Sequence, residues 1–192
     1  MVRNPERRTA LVDAAIEVLA QEGARGLTFR AVDTQAGVPA GTASNYFTSR
    51  DDLLTQAGGR IQVRMAPDPA EVVEAMGSAP LARELTTELL RWLVRRMSQE
   101  RTGYLAMLEL RLEATRRPAL QSELTRTVRA EFDESLRFHL DAGLPGDADT
   151  VLVLYLAMTG VLLEHFTLPG MLSDVEVDKL VETVVTRVVP PE

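Results

Sequence analysis

The sequence predicts an all-α fold: an N-terminal three-helix unit of helix-turn-helix type, followed by a larger helical body. Three observations carry this. Apolar residues recur at spacings of three and four in segment after segment. Aromatic residues make up only 5 % of the chain and strand-like alternation of β-branched residues is rare. Capping residues and Gly or Pro punctuation fall at the ends of the periodic segments.

Asn4-Pro5 reads as an N-cap with proline at the first helical position. Leu11, Ala14, Ala15, Val18 and Leu19 then repeat at helical spacing up to a C-terminal stop at Gly23, which predicts a first helix over about 5–21. Thr28 caps a short second helix, 29–36, buried through Phe29, Val32 and Ala36, and Gly37 ends it. Pro39 is positioned to open a third helix reaching about Phe47. Ser49 caps a fourth, with Asp51 and Asp52 in its first turn and Leu53, Leu54, Ala57, Ile61 and Met65 as its apolar stripe. Gly58-Gly59 lies inside it, costs about 1 kcal/mol per glycine relative to alanine, and reads as a weak point or a hinge.

Pro67-Asp68-Pro69 is the strongest break. It gives three expected parts: 1–49, 50–66 as a connecting helix, and 67–192. A short helix fits 70–76. Beyond Pro80 the segments 81–98, 102–116, 118–141, 148–167 and 173–188 read helical, punctuated by Pro118, Gly143 to Gly146 and Pro169-Gly170.

Composition narrows the function. The hydrophobic share of 45 % supports a packed core. There is no cysteine, so thiolate chemistry is excluded. His139 and His165 lack metal-ligand spacing, and no nucleophile elbow, P-loop or dinucleotide glycine pattern is present. No metal, cofactor or enzymatic activity is therefore expected. The longest apolar run, Val151 to Leu163, is shorter than the roughly 20 residues of a membrane span, and the N-terminus has no apolar signal core. A cytoplasmic protein with no membrane partner is expected. The net charge of −7 is unevenly placed: residues 1–60 hold seven arginines and seven carboxylates, so the acidity lies beyond them. Binding of DNA by the first 60 residues must then rest on where individual arginines stand.

Thr28 to Phe47 is helix, glycine turn, helix. A tight turn sets two helices at a steep angle, so that the second can enter a major groove while the first crosses the backbone. Pro39-Ala40-Gly41-Thr42-Ala43-Ser44-Asn45-Tyr46 is small and rich in hydrogen-bonding groups. Small residues permit close approach, and Thr, Ser and Asn suit base edges or phosphates. The layout alone fits a helical hairpin in a soluble bundle equally well.

The flanking residues add a resemblance. Leu11-Val12-Asp13-Ala14-Ala15, Gly23, Thr28, Arg30, Ala36-Gly37-Val38, Gly41-Thr42, Tyr46-Phe47 and Ser49 to Leu53 stand in register with the N-terminal domain of the tetracycline-repressor (TetR) family over about residues 7–57. The resemblance implies a nucleoid-associated DNA-binding regulator, most often a repressor, acting as a homodimer on a palindromic operator and released by a small-molecule effector. It implies phosphate contacts from Thr28, Arg30 and Arg50, with Thr42 at the DNA surface. Pro39, Ala40, Gly41, Ser44, Asn45 and Tyr46 complete the expected DNA-binding set. Asp33 stands where alanine is usual in the family and Ser44, followed by Asn45, where a phosphate-binding tyrosine is usual; Tyr46 occupies a place where His or Tyr is common, and Arg50 one where lysine is more frequent. The tyrosine's contact would fall to Ser44, Asn45 or Tyr46.

Segment 148–167 is apolar nearly all round and must be covered on every side, which in a chain this size points to a second subunit. Segment 173–188 carries Val177, Leu180, Val181, Val184 and Val188 on one stripe. The resemblance implies that both helices form a four-helix dimer interface, with Gly160 allowing close approach; the alternative is a monomer whose last helix covers the penultimate one. Met97, Phe138 and Tyr155 belong with the large, adaptable residues of the central helices, which are ordinary core candidates. The resemblance adds a small-molecule site, for which Trp92, Tyr104, Met107, Arg111, Phe132, His139 and Met158 are the expected lining, with Arg111, Glu109 or His139 fixing a polar group. A helical carrier or adaptor whose helix-turn-helix no longer binds DNA is the alternative.

Overall fold

The computed structural model describes residues 4–77, 83–172 and 174–190. Pro80, the expected start of the 81–98 segment and residue 173 lie outside the described residues, and the helix expected over 173–188 begins only at Val177, since Asp174 and Val175 are turn and bend leading to its N-cap, Glu176. Ten α-helices and one 3₁₀ turn follow one another, and there is no strand among the described residues: α1 Pro5–Gly26, α2 Phe29–Gln35, α3 Thr42–Tyr46, α4 Arg50–Met65, α5 Pro69–Met76, α6 Arg83–Gln99, α7 Arg101–Ala114, α8 Pro118–Asp141, α9 Ala148–Thr167, the 3₁₀ turn Pro169–Leu172, and α10 Val177–Val188.

The capping predictions hold locally. The Asn4 side chain accepts from the Glu6 and Arg7 amides, Thr28 accepts from Ala31, and Ser49 accepts from Asp52. Asn4 thereby satisfies two, and Thr28 and Ser49 one each, of the otherwise unpaired N–H groups of a helix start, and such a cap typically contributes about 1 kcal/mol. Two boundaries differ from expectation. Gly23 does adopt a left-handed φ of 70°, but α1 resumes after it and runs on to Gly26. The third helix starts at Thr42, not at Pro39: Gly41 sits at φ 88° as its N-cap, and Pro39 stands in the turn before it, accepting from the Thr42 amide at 3.1 Å. Gly58-Gly59 lies inside α4 as expected. α4 runs through it unbroken, and Gly58 is buried where a Cβ would lie 3.5 Å from Leu124 and 3.7 Å from Leu110.

The chain forms two compact units. The first comprises residues up to Ala66 together with Glu100–Thr127. Its core joins Leu11, Ile16 and Leu19 of α1, Val32 of α2, Phe47, and Leu53, Leu54 and Ile61 of α4 to Ala106, Leu110, Leu120 and Leu124. Each of these side chains other than Ala106 contributes roughly 1.5–3 kcal/mol by leaving water. α7 is thus an interior member of the unit that carries the helix-turn-helix.

The second unit comprises Pro67–Gln99 and Val128–Glu192. Within it α10 packs on α6 and α9: Val185 and the C-cap Val189 join Leu154 of α9, with Leu90 of α6 against them, Val181 is buried, and the Arg83 guanidinium bonds the Val189 carbonyl oxygen. α9 is 20 residues long with a mean hydropathy of 1.5 over its most apolar 18, so its length alone would reach across a bilayer. Only 28 % of that window is buried within the chain. Of its exposed residues, Leu152, Leu156, Gly160, Leu163 and Thr167 fall at spacings of four, four, three and four and make a single stripe, with exposed Val153 at its edge.

Candidate nucleic-acid interface

α2 and α3 meet across the turn from Ala36 to Gly41. Two left-handed glycines shape it, Gly37 at φ 64° and Gly41 at φ 88°, a region that an L side chain enters at a cost. The Ala36 amide donates to the Val32 carbonyl oxygen, and the Val38 amide donates to that of Asp33. α3 is pinned from below by Ala43 and Phe47, both buried. Its other face is open: Pro39, Ala40, Gly41, Ser44 and Asn45 are exposed, and Thr42 and Tyr46 are half-buried.

The polar side chains of this face are pre-ordered. The Thr42 hydroxyl donates to the Pro39 carbonyl oxygen at 2.5 Å. The Ser44 hydroxyl and the Asn45 amide nitrogen both donate to the Gly41 carbonyl oxygen, at 2.8 and 3.0 Å. Their oxygens remain available as acceptors. The Asp33 carboxylate, 2 % exposed, accepts from the Gly41 and Ala43 amides at 2.7 Å each.

Thr28 and Arg30 are exposed at the start of α2. Thr28 and Arg50, 22 positions apart, line one open cleft with Arg25, Leu27, Glu113 and Arg116. Arg50 is held from within: Nε donates to the Leu27 carbonyl oxygen at 3.2 Å, Nη2 to that of Ala24, and Nη1 lies 3.4 Å from Glu113. A guanidinium has five N–H donors, so these bonds aim the side chain and leave others for the cleft. Glu113 is itself buried and accepts from Arg117 at 2.7 Å and Arg116 at 3.1 Å, and Arg117 also bonds Asp51. These arginine bonds, that from Arg117 foremost, hold the Glu113 carboxyl below its ordinary range against the opposing effect of burial. Beside it on α7, Glu109 accepts the Ala24 amide at 3.0 Å. That amide follows the Gly23 break. Arg116 and Arg117, just past the end of α7, are thus both ion-paired to Glu113. Arg25, Glu113 and Arg116 are absent from the sequence-predicted set, because nothing local marks a residue 63 positions from its partner.

The expected ligand-lining residues divide between the units. Tyr104, Met107 and Arg111 stand on α7 in the first, where Met107 belongs to the core and Arg111 is exposed. Trp92, Phe132, His139 and Met158 are in the second. There Phe132 meets Tyr155 edge-on at 5.6 Å, and the Arg96 guanidinium lies 5.8 Å from the Trp92 ring centre.

His139 is buried, with Nε2 3.1 Å from the Pro145 carbonyl oxygen. A carbonyl only accepts, so Nε2 carries the proton. Burial pushes the imidazole pKa down, against the opposing pull of that hydrogen bond. The unfolded chain, titrating near 6.5, takes up its proton first, so this contribution is complete above about pH 6.5 and is lost as pH falls toward the folded value. Denaturant titrations at pH 7.5 and 5.5 are expected to show a smaller loss of stability on acidification for His139→Gln than for the wild type.

The chain matches two family models: "Bacterial regulatory proteins, tetR family" over residues 11–57 and "Tetracyclin repressor-like, C-terminal domain" over 81–191. It is 24 % identical, over 86 % of each chain, to the nicotine-responsive transcriptional repressor HdnoR of Paenarthrobacter nicotinovorans. The multidrug binding protein EbrR, solved in complex with imidazole, is 32 % identical over 98 % of both chains with a TM-score of 0.66. A TetR-family member from Streptomyces coelicolor is 31 % identical over 97 % of this chain and 99 % of its own, with a TM-score of 0.67. With one model spanning more than half its length, this chain belongs to the TetR family of DNA-binding transcriptional regulators.

Proposed function

We propose that the protein is a homodimeric repressor that holds a palindromic operator and is released by a small organic effector. The observation that carries the reading is the pre-ordered, exposed polar face of α3. Asn45, Ser44 and Thr42 meet base edges or phosphates, Tyr46 lies at their margin, and Pro39 to Gly41 let the helix approach closely. Thr28, Arg30 and Arg50 hold phosphates on either side. Residues 1–49 read DNA, 50–66 connect, and 67–192 bind effector and form the dimer. Such a protein works in the cytoplasm on nucleoid DNA.

The relatives suggest the effector class: one responds to nicotine, and another is solved with imidazole, proflavin, ethidium and malachite green, all organic bases or cations. Residues beyond 60 carry the whole net charge of −7, which suits a cationic or amphipathic effector. Release requires that the effector bind the DNA-free arrangement more tightly than the DNA-bound one.

Mutation separates the two kinds of DNA contact. Arg30→Ala is expected to weaken binding to every duplex and to lower the salt slope by about one unit. Asn45→Ala is expected to cost about 1–3 kcal/mol at particular base pairs only. Fluorescence anisotropy over a salt series, on an operator selected from random duplexes and on its shuffled copy, reads both. Equal losses for Asn45→Ala on the two duplexes would make Asn45 a backbone contact.

A further inference from the structure

α3 has five residues, too few to hold a helical conformation or a direction by itself. Its N-cap, Gly41, has no side chain to offer the exposed amides of the first turn. Flanking glycines leave the approach pliant, and the apolar anchor at the start of the helix is an alanine. What fixes that end is Asp33. Its two carboxylate oxygens reach back from α2, one to the Gly41 amide and one to the Ala43 amide, at 2.7 Å each. The missing cap is thus supplied by the preceding helix, eight and ten positions upstream. Among the described residues no arginine, lysine or histidine forms an ion pair with Asp33. Its buried charge is met by backbone N–H groups, the stronger class of hydrogen bond. Thr42, Ser44 and Asn45 all lie within two residues of the Ala43 amide, so a tilt of α3 about buried Phe47 displaces each of them.

We propose that Asp33 is a specificity-determining positioning residue, whose carboxylate fixes the direction of α3 so that operator is discriminated from random DNA. The inference rests on the regulator reading above. The same charge lies beneath a helix that meets phosphates, and it opposes sequence-independent attraction. The clamp therefore acts on the ratio of specific to random affinity, where loss of a phosphate contact would lower both.

The test uses the full-length protein and two duplexes of equal length: one enriched by the wild type from a random-sequence library, and its shuffled copy. Asp33→Asn removes the charge and one acceptor at constant shape, and Asp33→Ala removes both acceptors. Circular dichroism and thermal melting establish that each variant folds. For either folded variant, affinity for the enriched duplex is expected to fall about tenfold or more, with affinity for the shuffled duplex unchanged or raised and the salt slope unaltered. Faster hydrogen exchange at the Gly41 and Ala43 amides should accompany the loss. An equal drop on both duplexes, or an unchanged ratio in a folded variant, overturns the proposal. Failure of the wild type to enrich any duplex overturns instead the regulator reading on which it rests.

Discussion

Leu156→Glu is expected to convert a dimer into a monomer of 21.1 kDa and to abolish operator binding at concentrations that saturate the wild type. Leu156 is 58 % exposed at the middle of the uncovered α9 stripe, between Leu152 and Gly160. Nothing in the chain would meet a Cβ built at Gly160, so the stripe is open at that point too. In a two-fold interface the substitution enters twice. It removes two leucines, each contributing roughly 1.5–3 kcal/mol when covered, and inserts two unpaired carboxylates that resist leaving water. A monomer holds one half-site only and forgoes an avidity gain on the order of 10²–10⁴. Light scattering at micromolar concentration reads the mass. Leu112→Glu, at a comparably exposed leucine on α7, is the control expected to leave it unchanged. A Leu156→Glu protein still at twice the protomer mass would rule out this stripe as the interface. A wild-type monomer that floats with lipid vesicles would favour the bilayer reading of α9.

Glu113→Ala is expected to give the largest loss of stability among single polar substitutions in the first unit. The carboxylate is buried and holds three guanidinium groups, two of which reach on to the Ala24 and Leu27 carbonyls and to Asp51. Removing it leaves Arg50 and Arg117 partly desolvated without their common partner. Because the arginines keep part of their hydration, the cost is placed at about 1–3 kcal/mol, below the value for a fully interior pair. In a chain of this length that lowers Tm by several degrees. Glu123→Ala, which breaks an exposed pair with Arg126, should scarcely move it. The effect is pH-dependent with a definite sign. The folded carboxyl is held below its ordinary range by its arginines, so its contribution is present above that range and fades as pH drops through the folded value. The wild-type and Glu113→Ala melting temperatures should therefore converge in acid. A gap that widened on acidification would refute the assignment.

What the sequence disclosed, and what it hid, divides by distance along the chain. Asn4, Thr28 and Ser49 were legible as caps because a cap acts on amides two or three residues away. α8 and α9 begin and end where Pro118, Gly143 and Pro169 place them. Pro39 misled because a proline suits a helix start equally well as a turn, and the left-handed Gly41 decided between them. At the site, the open face of α3 was readable from its small and polar composition. The bonds that aim it were not: Asp33 read only as a departure from a family pattern, with its partners hidden behind the turn. Glu109 and Glu113 act on α1 and α4 from 85 and 63 positions away, and no periodicity reports such pairings. The Gly58-Gly59 pair looked weak because helix propensity was visible while the side chains of Leu110 and Leu124 packed over Gly58 were not.

The composition of the first core cluster bears on how the chain is made. A ribosome that has released α1 to α4 has delivered every residue of the helix-turn-helix, yet not Ala106, Leu110, Leu120 or Leu124, which close its core. At roughly 5–20 residues per second, the nascent reading head waits several seconds with Leu11, Leu54 and Ile61 incompletely covered. A fragment cut at Pro67-Asp68-Pro69 would remain in that condition permanently. The linker that looks like the natural place to separate a reading head from its body therefore divides a folding unit in two.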